Sequence, residues 1–282
     1  MMKNNFKNLL LTGITIMGLA ACEKNLLENN IPQHFPDDNA TAYVKFIHAY
    51  AGKTPALTSG AGPNVLMYLN DTLGRITAVN NPLSFTVSGG QYPTPSTATT
   101  NVRSWYTAVP SGSFTMLGVL ARLSGTVPAP VAGDTIFRSA VNLQPGKNYT
   151  AFLSDTLQSP SITLIPDEYG TIADGKYKIR LANFVAWPGD IQEVYSYREK
   201  RVIISNVGYK TAGAFIELDV PSQRDTFVIR KLSGPSPADY STTILGFSPV
   251  GKRAYTLFTR GKQLSGTSTT FQSYTGSFTT NY

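Results

Sequence analysis

The sequence predicts an all-β protein with two tandem antiparallel β-sandwich domains that follow a lipoprotein signal peptide and a tether. Three observations support this prediction. Short runs of alternating apolar and polar residues lie between Gly, Pro, Asn and Asp, and no strong apolar period near 3.6 is present. The second half of the chain repeats the first. A basic, then apolar, then small-residue segment opens the chain and ends at its single cysteine.

The opening segment is typical of an export signal. Lys3 and Lys7 precede an apolar stretch that is shorter than the about 20 apolar residues of a membrane-spanning helix. The following "LAAC", residues 19–22, resembles the bacterial lipobox, in which cleavage precedes the cysteine and the thiol accepts the lipid. We therefore expect residues 1–21 to be the signal peptide and Cys22 to be the lipidated first residue of the mature protein. The alternatives are an ordinary signal peptide with an incidental cysteine, or a buried free thiol.

Residues 22–41 are predicted to be a lipidated tether, because they are polar, interrupted by Pro and without any period. Several acyl chains hold a protein durably on a membrane, whereas one chain binds only marginally. Glu23 follows the cysteine, where Asp commonly favours inner-membrane retention in diderm bacteria. Because Glu23 is not that residue, the resemblance to bacterial lipoproteins favours a lipid anchor in the outer membrane, on the periplasmic face or at the cell surface.

The first domain is predicted over residues 42–166, where short alternating runs indicate strands. In the first run, alternation places Val44, Phe46 and His48 on one face of the strand and Lys45 and Ile47 on the other. The clearest runs are "AYVKFIHAY" (42–50), "NVLMYLN" (64–70), "SFTMLGVLAR" (113–122), "NYTAFLSD" (148–155) and "SITLIP" (161–166).

The second domain is predicted over residues 176–282, after a short acidic linker, "DEYGTIADG", at 167–175. We expect the acidic residues of this linker to be solvated. The strand-like runs of the second domain are "YKIRLANFV" (177–185), "AFIELDV" (214–220), "DTFVIRKL" (225–232) and "AYTLFTRG" (254–261).

The two halves align with each other in the same order and with nearly the same spacing. Units of roughly 100 residues suit a sandwich of two sheets, so we expect two separately folded domains. Val44 and Phe46 should lie in one core, and Ile179 and Leu181 in the other. The matching segments are "VKFIHAYA" (44–51) with "IRLANFVA" (179–186), "AVPSGSFTM" (108–116) with "DVPSQRDTFVI" (219–229), and "LQPGKNYTAFL" (143–153) with "FSPVGKRAYTLF" (247–258).

The segments "YVKFIHAYA…PNVLMYLND" and "SITLIPDEY…GKYKIRLANF" resemble the family called domain of unknown function 4397, found in exported bacterial proteins and often in tandem. Val44 to Ala49 carry the opening pattern of the family, and the second copy departs from it at Phe184. The resemblance implies a pair of Ig-like β-sandwiches on a lipoprotein of Bacteroidetes type. It brings no established activity.

The sequence contains no pattern typical of a catalytic or metal site, so we expect no enzyme, no cofactor and no metal. One of the two histidines lies in the tether, and the other, His48, aligns with Asn183. Because both side chains donate and accept hydrogen bonds, a polar anchor at the strand end explains both positions. The acidic cluster Asp167, Glu168 and Asp174 lacks the regular spacing of an EF-hand, and no phosphate-binding glycine loop is present.

Three aromatic residues are candidates for ligand binding. Trp187 lies in the turn "AWPGD", and Trp105 and Tyr106 are adjacent in "RSWYTAV". An exposed ring at the end of a sandwich can stack on the apolar face of a sugar. The alternative is that these side chains pack in the core or under loops, where large aromatic residues mostly lie.

Three short segments resemble the Asp-Ser/Thr-aliphatic sequon for O-glycosylation in exported Bacteroidetes proteins. They are "DTL" at 71–73, "DTI" at 134–136 and "DTL" at 155–157. The acceptors would be Thr72, Thr135 and Thr156.

The formal net charge of +7 includes Lys3 and Lys7, which would leave with the signal peptide. The remaining basic residues are scattered, with "REKR" at 198–201 as the densest run, so a solvated surface is expected and no nucleic-acid partner. We predict a non-enzymatic cell-envelope lipoprotein that binds or scaffolds. Its partners would be the membrane, through the N-terminal lipid, and an envelope protein or glycan. The alternative is a glycan-binding surface lipoprotein of a polysaccharide uptake system.

Overall fold

A computed structural model of the chain describes ten segments, all within one compact unit, Asp38–Tyr282. Every regular element in these segments is a β-strand, and none is a helix. The all-β prediction is therefore confirmed for the described part of the chain. The segments are residues 39–49, 65–69, 83–85, 91–92, 106–120, 135–155, 160–186, 189–232, 241–261 and 275–281.

The strands of the first half form two sheets. In one sheet the order is β4-β1-β8-β9, with β5 also paired to β1, and in the other it is β3-β2-β6-β7. The strands are β1 (Thr41–His48), β2 (Val65–Leu69), β3 (Leu83–Phe85), β4 (Gln91–Tyr92), β5 (Thr107–Pro110), β6 (Gly112–Leu120), β7 (Thr135–Leu143), β8 (Asn148–Ser154) and β9 (Ser161–Pro166).

The second half repeats this arrangement. One sheet has the order β13-β10-β17-β18, with β14 also paired to β10, and the other has the order β12-β11-β15-β16. The strands are β10 (Lys176–Asn183), β11 (Ile191–Ser196), β12 (Arg201–Gly208), β13 (Thr211–Ala212), β14 (Ile216–Asp219), β15 (Asp225–Lys231), β16 (Ser241–Phe247), β17 (Ala254–Arg260) and β18 (Thr275–Thr280).

Alternation explains why these segments form strands. In β7, Phe137 and Leu143 are buried, whereas Arg138 and Asn142 are exposed. Because successive side chains of a strand point to opposite faces, this pattern gives one apolar face and one polar face. The apolar face can then pack against the second sheet of the same half.

The expectation of wholly antiparallel sheets is wrong at one pair of strands in each half. β1 pairs in parallel with β8, and β10 pairs in parallel with β17. A parallel pair needs a long connection, which a hairpin cannot supply. Here the chain forms the other sheet of its own half between the two paired strands. Each sheet with such a pair is mixed, because its other strand pairs are antiparallel.

Each half has its own hydrophobic core, built from the strands of both of its sheets. Val44 and Phe46 lie in the first core, and Ile179 and Leu181 in the second, all with no exposed surface. The predicted core positions of these residues are confirmed.

The repeat alignment is correct for the first strand of each half and wrong by two residues at the "VPS" segments. Ala42 pairs with Val109 in the first half, and Tyr177 pairs with Leu218 in the second. Val109 therefore corresponds to the buried Leu218 and not to Val220, which lies beyond the end of β14. Burial of one face fixes the register of a strand, and this constraint prevails over the short identity "VPS".

Candidate functional site

The first strand of each half is buried on both faces. Lys45 and Ile47, which point away from the first core, have no exposed surface. A third apolar cluster joins the two halves at this level, where Phe152 and Phe184 stack with ring centroids 4.1 Å apart. Its members are Ile47, Ala49, Phe152, Ala182, Phe184 and Phe258. The outer faces of β1 and β10 are therefore part of a junction between the halves.

The polar part of this junction follows the repeat. Lys45 of β1 and Arg180 of β10 occupy the same position in the two halves, opposite Thr150 and Thr256 of their parallel partner strands. Lys45 Nζ donates to the carbonyl oxygen of Thr280 at 2.8 Å, and Arg180 Nη1 donates to that of Pro166 at 2.8 Å.

Pro166 and Thr280 are also equivalent, since they pair with Tyr149 and Tyr255 at the ends of β9 and β18. Each half thus directs the basic side chain of its first strand to the end of the last strand of the other half. The junction has approximate twofold symmetry in its contacts.

Asp167 is the charged partner within this junction. Its side chain is fully buried and forms an ion pair with Arg180, whose side chain is 4% exposed. The hydroxyls of Tyr106 and Thr150 each donate to Asp167 Oδ2 at 2.7 Å. The expectation that the acidic linker residues are solvated is therefore wrong for Asp167. The repeat places Asn281 at the matching position of the second half, where its amide oxygen accepts from Thr256 Oγ1 at 2.7 Å.

Burial shifts the proton affinities of two groups in the junction. It lowers the pKa of Lys45 to about 7, because an ammonium ion without water is costly; the charge of Asp167 partly opposes this shift. Burial also raises the pKa of the Tyr106 hydroxyl, and the neighbouring Asp167 carboxylate adds to this shift. Lys45 Nζ lies 4.9 Å from the centroid of the Tyr106 ring.

A lysine with a pKa near 7 has the proton affinity that a general base or a nucleophile needs. Lys45, however, has no exposed surface and its amine is hydrogen-bonded to Thr280. A substrate could reach this amine only if the halves separated. The arrangement is therefore suited to holding the halves together. The sequence contained a signal of this role, a basic residue at the same position of both repeats, but it did not identify the partners.

A second buried polar cluster lies at the end of β10. Asn183 Nδ2 donates to Asp190 Oδ2 at 3.0 Å and to the carbonyl oxygen of Val207 at 3.2 Å. Lys231 Nζ lies 3.5 Å from Asp190 Oδ1, and Gln192 Nε2 donates to Asp190. The predicted role of Asn183 as a polar anchor is confirmed. The cluster joins the last residue of β10 to the residue directly before β11.

A surface groove lies at the opposite end of β11, between residues 197–198 and 220–226, with a volume of about 670 Å³. The Tyr197 side chain on its rim is 60% exposed. Its ring meets the Tyr195 ring edge-on, with centroids 5.7 Å apart. This contact positions an aromatic ring at the surface.

Asp225 fixes the walls of this groove. Its buried carboxylate accepts from Ser196 Oγ at 3.0 Å and from the backbone nitrogens of Thr226, at 2.6 Å, and Arg198, at 3.3 Å. The Arg198 guanidinium lies beside it, with Nε 3.5 Å from Asp225 Oδ2. The loop after β11 is thereby tied to the start of β15.

Few of the site residues expected from the sequence fall in the described part of the chain. Tyr106 is 6% exposed and its hydroxyl is engaged in the junction, so it presents no open ring face to a ligand. Thr135 begins β7 and is half-buried. The remaining candidates, Cys22, Thr72, Trp105, Thr156 and Trp187, lie outside the described residues.

No group of three or more His, Cys, Asp and Glu side chains among the described residues has the arrangement to hold a metal ion. No helix in this part of the chain has the length and apolarity needed to cross a bilayer.

Comparison with known proteins assigns no family to the chain. No family model matches it, and no curated protein matches it, so the resemblance to domain of unknown function 4397 stays a prediction. The chain has a weak likeness to a solved structure from Bacteroides eggerthii described as a "putative cell adhesion protein". The TM-score is 0.20 and the identity 10%, over 86% of this chain and 96% of that one.

A structure with the same description from Bacteroides fragilis gives a TM-score of 0.19 at 10% identity, over 85% of this chain and 97% of that one. The comparisons thus show a distant structural similarity to these two Bacteroides structures, and no family.

Proposed function

We propose that the protein is a non-enzymatic lipoprotein of the cell envelope, a binding or scaffolding module held at the outer membrane by lipid on Cys22. The observation that supports this proposal is the use of the charged groups in the junction. Lys45, Asp167 and Arg180 are buried and make their contacts across the two halves. Their chemistry serves to join the halves, and an enclosed network of this kind offers no reactive group to a substrate.

We further propose that each half is an Ig-like β-sandwich domain, over residues 42–166 and 176–282, with 167–175 as the linker. Both halves enclose a core between two sheets. The Tyr149 hydroxyl accepts from the backbone nitrogen of Gln144 at 3.1 Å, and the Tyr255 hydroxyl accepts from that of Val250 at 2.8 Å. These bonds are similar to the tyrosine corner of Ig-like sandwiches.

Metabolic labelling with a palmitate analogue tests the anchor. The wild-type chain should be labelled and should sediment with the outer membrane. Cys22→Ser should lose both properties, because it has no thiol to accept the lipid. Equal labelling of the two chains would refute lipidation at Cys22, and labelled protein in the inner-membrane fraction would refute the proposed location.

A second candidate function is glycan binding within a polysaccharide uptake system, with Trp187 and neighbouring aromatic side chains as the contact. It is favoured by the buried hydrogen bond between Asn183 and Asp190, two residues that lie on either side of Trp187 in the sequence. Titration with a glycan panel should quench tryptophan fluorescence in the wild type and not in Trp187→Ala. Silence across the panel would count against this candidate and leave the anchored scaffold standing.

A further inference from the structure

The groove beside Tyr197 combines two features of a sugar site. Its rim carries an exposed aromatic ring held by Tyr195. Its lining includes the neutral hydrogen-bonding side chains of Ser222 and Gln223. Binding pockets commonly combine apolar or aromatic surface with a few placed polar groups of this kind, and an aromatic ring suits the apolar face of a pyranose.

The same groove carries an excess of positive charge. Its lining includes two basic side chains, Arg198 and Arg224, and one acidic side chain, Asp225. Arg198 is held by Asp225 and Glu199. Arg224 lines the groove and forms no ion pair in the part of the chain that the structure describes. A guanidinium of this kind is well suited to donate two hydrogen bonds to a carboxylate in a bidentate contact.

A groove along the junction offers a useful contrast. It has a volume of about 650 Å³ and is lined by Lys178, Arg180 and Lys210. Lys178 donates to two backbone carbonyls, Arg180 pairs with Asp167, and Lys210 Nζ lies 2.6 Å from Asp155 Oδ2. Its cations are therefore already engaged, whereas Arg224 is available.

We propose that the groove beside Tyr197 binds an acidic glycan, with a pyranose ring on the Tyr197 side chain and a uronate carboxylate on Arg224. The buried Asp225 is a positioning residue, because it fixes Arg198 and both walls of the groove. This proposal rests on the proposed function in one respect, because it assumes that the protein is a binding module. It names a ligand class for a binding module.

Calorimetric titration of the mature chain, residues 22–282 with Cys22→Ser to keep it free of lipid, tests the proposal. The probe is an oligomer of galacturonate, and the comparison is a galactose oligomer of the same length and linkage. Arg224→Gln should weaken binding of the acidic oligomer roughly tenfold, the effect of losing a charge-assisted contact. Tyr197→Ala should weaken it severalfold through loss of the ring. Lys147→Gln removes an exposed charge of the first half and should leave affinity unchanged.

Each outcome of this titration decides the point. Binding of the acidic oligomer alone, lost in Arg224→Gln and kept in Lys147→Gln, supports the proposal. Absence of binding, equal binding of the neutral oligomer, or an equal loss in Lys147→Gln overturns it. Equal binding of a single-stranded DNA of matched charge also overturns it, since the groove would then attract any polyanion. None of these results changes the labelling of Cys22, so failure of the glycan site and failure of the envelope anchor are distinguishable.

Discussion

Replacement of Arg180 by methionine should destabilise the folded chain by about 3–5 kcal/mol, the range for breaking a buried ion pair from one side. The Arg180 and Asp167 side chains are 4% and 0% exposed. In the variant Asp167 would keep the hydroxyls of Tyr106 and Thr150 but would lose its cation. The variant would also lose the bonds to Pro166 and Thr256.

Urea unfolding at pH 7, followed by circular dichroism, measures this loss. The matched control is Lys147→Met, because the Lys147–Glu168 pair joins atoms 3.3 Å apart but has side chains 48% and 67% exposed. Exposed pairs contribute about 0–1 kcal/mol, so the control should unfold almost like the wild type. A double variant, Arg180→Met with Asp167→Asn, should recover part of the loss, since no carboxylate is then buried without a cation.

The same experiment tests whether the halves unfold together. The sequence suggested two separately folded domains, on the assumption of a small interface. The structure instead joins the halves through an apolar cluster and a buried ion pair, so we expect a single transition that moves as a whole. A loss no larger than that of Lys147→Met would contradict the buried ion pair. Two transitions, of which one stays in place, would contradict the coupling of the halves.

Two further predictions concern the first half. Phe46→Ala should cost about 3–5 kcal/mol because it leaves a cavity in the first core, and calorimetry should show the whole transition at lower temperature; an unchanged transition would show that Phe46 is not in the core. Lys45, whose pKa burial lowers from 10.5 to about 7, should make stability rise with pH between about 7 and 10, because the unfolded chain binds the extra proton there. Above pH 10 the raised pKa of Tyr106 reverses the slope, since the unfolded tyrosine ionises first. Lys45→Met should flatten the rise between pH 7 and 10 in urea unfolding, and an equal rise in the variant would assign it to other groups.

The amino-acid sequence was sufficient to predict the strands whose residues alternate most clearly, the order of the repeated segments and the core positions on the first strand of each half. Strands such as β7, β11 and β12 were not among the predicted runs. Alternation was sufficient to place Val44 and Phe46 in one core and Ile179 and Leu181 in the other, because apolar residues at every second position of a strand share one face. The shared order of segments was sufficient to equate β1 with β10. It also equated His48 with Asn183, and Asn183 is a buried anchor at the end of its strand.

What covers the other faces of these strands depends on how the two halves pack against each other. Alternation places Lys45 on the face of β1 that points away from the core. It does not show whether this outer face contacts water or protein. The partner of Lys45 is the carbonyl oxygen of Thr280, 235 positions away, and local patterns hold no information about such a contact. The sequence likewise suggests that Asp167 is a solvated linker residue, whereas in the structure Arg180 and Tyr106 contact its carboxylate. A buried charge depends on groups from distant segments, and docking of the two halves brings those groups together.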